Sequence, residues 1–107
     1  MRRDKVVTLI KKVLDEHKAT NIEVIDVSER TPFADFYVVA SASNIRQLDA
    51  LADNVIDELE KNKINVNHKE GTPESGWILI DVYHVIVNIF TEAERERVGL
   101  EQVLSKK

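Results

Sequence analysis

The chain has 107 residues, no cysteine and a formal charge of −4. That length suits a single domain over residues 1–107, and the lack of cysteine excludes disulfides and Cys-based zinc or redox sites. The acidic balance argues against broad electrostatic attraction to bare nucleic acid, so no direct sequence-specific nucleic-acid binding is expected.

No apolar run is long enough to cross a bilayer, and no charged-then-apolar leader opens the chain. A cytoplasmic protein with no membrane partner is the expectation. The basic residues at the ends, Arg2, Arg3 and Lys5 and then Lys106 and Lys107, read as solubilising.

The first helix is expected from about Asp4 to His17, since Val6, Ile10, Val13, Leu14 and His17 recur at three- and four-residue steps. Ala19-Thr20-Asn21 ends it. Ile22 to Val27 reads as a strand, Ser28 to Pro32 as a loop, and Phe36 to Ala40 as a second strand rich in aromatic and β-branched residues. Ser43 is the expected N-cap of the longest helix, whose apolar stripe runs through Ile45, Leu48, Ala52, Val55, Ile56 and Leu59 before fading near Lys61-Asn62.

Ile64, Val66 and His68 alternate with Asn65 and Asn67, which predicts a short half-exposed strand. Glu70 to Gly76 is a loop. Two strands apolar on both faces follow, within Trp77–Val82 and Val85–Phe90. Thr91 and Glu94 match a capping box that opens a last helix interrupted near Gly99, with Leu100, Val103 and Leu104 available for a final turn. The order α-β-β-α-β-β-β-α implies an α/β domain with a mixed sheet of about five strands flanked by helices.

Chemistry is thin along this chain. His17, His68 and His84 fall on different elements, so no metal site is expected. Ser43 has no nucleophile elbow around it, and the Ala40–Asn44 junction lacks the glycines and lysine of a phosphate loop. The remaining enzymatic alternative is a small nucleotidyltransferase-like enzyme using Asp26, Asp35 and Asp81 to hold Mg²⁺. No catalytic residue and no cofactor is assigned.

The sheet surface is more informative. Trp77, Leu79 and Asp81 share one face of their strand, and Ile78, Ile80 and Val82 the other. Either the two longer helices cover both faces and Trp77 is core, or the last helix is too short to finish the cover. In the second case Trp77 and Leu79 form a contact patch with Tyr83 at its rim. Tyr83-His84 is a poor two-residue hairpin turn, so the loop is wider or these bulky residues are kept for a contact.

Asp26-Val27-Ser28, Asp35-Phe36-Tyr37-Val38-Val39-Ala40-Ser41-Ala42-Ser43 and Arg46-Gln47 resemble the first half of the ribosomal silencing factor, or Iojap-like, family. Glu70-Gly71, Gly76-Trp77-Ile78-Leu79-Ile80-Asp81, Val85-Ile86-Val87, Arg95 and Leu100-Glu101 resemble its second half. The resemblance implies a domain similar to the nucleotidyltransferase fold but without its catalytic acids. It implies a homodimer when free that binds ribosomal protein uL-fourteen on the large ribosomal subunit and blocks joining of the small one. On that reading Trp77 and Leu79 are apolar anchors, Asp81 and Glu70 meet basic groups, and Tyr83 adds rim contact. A dimeric scaffold whose sheet pairs only with itself is a third option. The chain departs from the family pattern at Tyr83-His84, where Gly-Asp is usual, at Asn88, where His is usual, and at Gly99 and Leu104, where aromatic residues are usual.

Overall fold

Two amphipathic helices and one alternating sheet dictate the architecture. The computed structural model describes residues 5–100. Arg2, Arg3, Asp4, Glu101, Val103, Leu104, Lys106 and Lys107 lie outside the described residues. The elements run α1 (Lys5–Glu16), β1 (Thr20–Asp26), β2 (Phe36–Ala42), α2 (Ile45–Lys61), β3 (His68–Glu70), a 3₁₀ turn (Pro73–Ser75), β4 (Trp77–Val82), β5 (Val85–Thr91) and α3 (Glu92–Val98). The five strands form one mixed sheet in the order β1-β2-β5-β4-β3, with β2 and β5 parallel and every other pair antiparallel.

Val6, Val7, Ile10, Val13 and Leu14 bury the stripe of α1, and Leu48, Leu51, Ala52, Val55 and Leu59 bury that of α2. Both stripes join a single core with alternate strand residues: Val38, Ala40, Ala42, Ile78, Ile80, Val82, Val85, Val87 and Ile89. Because strand side chains alternate, all of these point to the same side of the sheet. The two long helices therefore share one face, and the reading in which they cover both faces is overturned.

Several local expectations are corrected. The cap of α2 is Asn44, whose Oδ1 accepts from Gln47 N at 2.7 Å, while Ser43 donates through N and Oγ to Gln47 Oε1 at 2.6 and 2.9 Å. Gln47 Nε2 in turn donates to the His17 and Lys18 carbonyls at 3.3 and 3.2 Å, which ties the start of α2 to the end of α1. His17 itself lies past the helix end and is exposed.

Ile64 and Val66 are not in a strand. Ile64 N donates to Leu59 O at 2.9 Å and Lys63 takes φ +62°, so these residues form the left-handed stop of α2. The same device ends α1, where Lys18 has φ +72° and Ala19 N donates to Leu14 O at 2.9 Å. The strand begins later, at His68. The capping box also moves. Thr91 Oγ1 accepts from Glu94 N at 3.3 Å, but the Glu94 carboxylate turns to Arg97 instead of back to the cap. The reciprocal pair is found at Thr72 and Ser75, opening the 3₁₀ turn.

Candidate functional site

The face opposite α1 and α2 carries the second set of alternating residues. Cross-strand register places Trp77 against Phe90, Leu79 against Asn88 and Asp81 against Ile86. On the other side of β5, Phe90 lies beside Ser41, Asn88 beside Val39 and Ile86 beside Tyr37. On β3, Glu70 pairs with Leu79 and His68 with Asp81. Of the described helices, α3 reaches this face, because Arg95 Nη1 donates to Ser41 Oγ at 2.8 Å and to the Asn21 carbonyl at 2.7 Å. Asn21 supplies that carbonyl from a register break in β1, at φ +50°.

Val39, Ser41, Asn88 and Phe90 are buried in the floor of this face, whereas Tyr37, Trp77, Leu79, Asp81 and Ile86 are partly exposed. The Trp77 ring sits 4.9 Å from that of Phe90 at 34°, and its Nε1 donates to Asn88 Oδ1 at 3.1 Å. The indole thus leans along β5 and touches both its direct and its diagonal cross-strand neighbour. Asn88 is only 1% exposed, and its Nδ2 has no hydrogen-bond partner.

At the β3 side, Glu70, Gly71, Ser75, Trp77, Leu79 and Glu94 line a cleft of about 280 Å³. Glu70 stands exposed there, with its Oε1 3.7 Å from His68 Nε2. Glu94 is held by Arg97, whose guanidinium hydrogen bond keeps the carboxyl below its ordinary range and lifts the guanidinium above its own. Acid on this face comes from Asp81, Glu70 and, on β1, exposed Glu23, while Glu94 is paired with Arg97 and Arg95 is bonded to Ser41 and the Asn21 carbonyl.

Tyr83 lies at the Asp81 end of the row, two residues beyond that carboxylate and far from Trp77. It occupies the two-residue turn after Val82, at φ +53° and 55% exposed, some 20 Å along the strand from Trp77 on a rise of about 3.3 Å per residue. The wider loop is ruled out, since Val82 pairs directly with Val85. His84 has a local task. Its carbonyl accepts from Asp35 N at 2.7 Å and Phe36 N at 3.2 Å, and its ring lies 6.3 Å from that of Phe36, which joins the turn to the start of β2.

The acids offered for Mg²⁺ do not converge. Asp26 ends β1 and Asp81 lies on β4, with β2 and β5 between them, a separation of about 14 Å at ordinary strand spacing. Asp26 also aligns with Phe36 on the helix side of the sheet, opposite to Asp81. Its Oδ1 accepts from Ser28 Oγ at 2.7 Å and Ser28 N at 2.9 Å, and these bonds hold the carboxyl below the ordinary aspartate range. Among the described residues no group of three or more His, Cys, Asp or Glu is placed to hold a metal ion. No described helix is long and apolar enough to cross a membrane.

The family described as "Ribosomal silencing factor during starvation" matches residues 1–107 of this sequence. The chain belongs to that family. Curated ribosomal silencing factors resemble it along most of their length. That of Haemophilus influenzae is 31% identical over 98 residues, covering 92% of this chain and 96% of its own. That of Bacillus subtilis is 26% identical over 103 residues, covering 96% and 87%. The crystal structure of a Chromobacterium violaceum protein superposes with a TM-score of 0.92 at 25% identity, over 100% of this chain and 89% of that one. The mixed α/β sheet of this chain is thus a fold it shares with that solved structure.

Sequence reasoning singled out Glu70, Trp77, Leu79 and Asp81, and register brings these four together on adjacent strands. It missed the floor beneath them. Asn88 and Phe90 belong to the same face, and the alternation within Val85–Phe90 was the available signal. It also missed Phe33, which is 83% exposed in the loop between β1 and β2.

Proposed function

We propose that this protein represses translation by seating its open sheet face on the large ribosomal subunit, against ribosomal protein uL-fourteen, and so occupying ground that the small subunit needs. Membership of the ribosomal silencing factor family supports the class of activity. The observation that carries the surface assignment is the placement of α1 and α2 on one face, which leaves Trp77, Leu79 and Asp81 partly exposed in a row on the other.

Trp77 and Leu79 are the apolar anchors in this scheme. Partly buried aromatic side chains gain the most from being covered, because they already hold one geometry and still have apolar area to lose. Asp81, with Glu70 on the neighbouring strand, meets basic groups of the partner and favours the correct approach. Tyr83 extends the contact at the turn. Occlusion needs affinity and position, with no bond made or broken, so a reactive constellation is not required. The free protein is a cytoplasmic homodimer in this reading.

Co-sedimentation with separated subunits tests the proposal. The protein should pellet with large subunits alone, and a saturating excess should slow joining when small subunits are added. Trp77→Ala should weaken the first effect and lose the second. Unchanged joining rates in excess protein would end the proposal.

A further inference from the structure

We infer that Asn88 is a positioning residue for docking: its side-chain carbonyl locks the Trp77 indole into the orientation in which it anchors a partner, an inference that rests on the docking face proposed above. The Trp77 Nε1–H donates to Asn88 Oδ1 at 3.1 Å, and the indole packs 4.9 Å from the Phe90 ring. Two independent contacts, one polar and one aromatic, therefore hold one side chain from two adjacent same-face positions of β5.

Stability alone does not account for an asparagine here. Residue 88 is 1% exposed on a central strand, and its Nδ2 is buried without a partner. An unpartnered buried donor is a cost, and an apolar residue of similar size would remove it. The same substitution would also leave the indole N–H without its acceptor and the ring free to turn at the sheet surface. The asparagine thus gives up stability and fixes an indole that would otherwise be held by ring contact alone. A side chain ordered before binding loses less freedom on binding. The direction of the hydrogen bond adds a further effect. Because the indole N–H is already satisfied from within, a docking partner can cover the ring with apolar atoms and strand no donor.

Stability and docking should therefore move apart. Trp77 is the only tryptophan in the chain, so emission reads this side chain alone. In Asn88→Leu the thermal midpoint should stay level or rise, while the anisotropy of the tryptophan falls and quenching by acrylamide increases. Affinity for purified large subunits, read by co-sedimentation, should fall about fivefold, the equivalent of one hydrogen bond. Trp77→Phe removes the donor and keeps an aromatic ring, and it should lose a similar factor. Adding Asn88→Leu to Trp77→Phe should then cost no further affinity, because the coupling between the two residues has already been broken.

Wild-type anisotropy or wild-type affinity in Asn88→Leu overturns the inference, as does full affinity in Trp77→Phe. A sharply lowered midpoint in Asn88→Leu also overturns it, since Asn88 would then be structural. If Asn88→Leu binds normally while Trp77→Ala does not, only the positioning role fails. If Trp77→Ala binds as tightly as the unaltered chain, the docking face fails and takes this role with it.

Discussion

Gly71 passes so close to Trp77 that a β-carbon at residue 71 would lie 2.2 Å from the Trp77 carbonyl oxygen. The φ of Gly71 is +95°, a region that L side chains rarely adopt. The backbone on which the indole stands is therefore shaped by a residue with no side chain, one strand away. Gly71→Ala should cost about 3 kcal/mol from the left-handed φ and the backbone clash together. Urea unfolding at neutral pH checks this, and a loss within about 0.5 kcal/mol would mean the loop relaxes freely.

The two long helices stop on lysines in the left-handed region, Lys18 at φ +72° and Lys63 at φ +62°. Glycine is the usual residue at such a stop because it has no Cβ to strain. Lys63→Gly should raise stability by about 0.5–1 kcal/mol, the strain removed less the extra freedom of the unfolded glycine. A lowered thermal midpoint would show that the lysine stem packs in a way that outweighs its backbone conformation.

Asp81 stands partly exposed between His68 on β3 and Ile86 on β5. Asp81→Lys should leave the folding midpoint within about 0.5 kcal/mol, as a surface substitution does. Affinity for large subunits should fall about tenfold, with weaker salt dependence than the parent, because a favourable charge becomes a repulsive one. Equal affinities at low salt would place the basic groups of the partner elsewhere.

Acid should selectively remove two local contributions. Hydrogen bonds from Ser28 lower the pKa of Asp26 from 3.8, and the Arg97 hydrogen bond lowers that of Glu94 from 4.5. A group whose folded pKa is depressed stabilises the protein above its unfolded pKa and loses that contribution as pH falls through the folded value. Asp26→Asn and Glu94→Gln should therefore be less stable than the parent at pH 7, and the gap should shrink as pH falls below the ordinary carboxylate range. A gap that persists undiminished in acid would assign the loss to packing.

Local sequence signals were legible where the deciding neighbours lie within a few residues. The stripes of α1 and α2 are the clearest case, since Ile10, Leu14, Leu48, Val55 and Leu59 all reach the core. Signals with near-equal local solutions were not. Ser43 and Asn44 can both cap, and the choice fell to Asn44 once Gln47 reached back to Ser43 and across to α1. Ile64 and Val66 alternate like a strand, but the left-handed stop at Lys63 used Ile64 first. Thr91 and Glu94 have box spacing, yet Arg97 competes for the carboxylate.

The order of elements, the mixed α/β sheet and the row Trp77, Leu79, Asp81 were determined by the sequence itself, because periodicity and alternation are properties of neighbouring residues. Tertiary structure alone decided that α1 and α2 lie on one face and that Asp26 and Asp81 lie on opposite sides. It also decided that Trp77 meets Asn88. Those outcomes depend on strand order and register, which are settled by pairing between segments far apart in the chain and leave no mark on any single stretch of it.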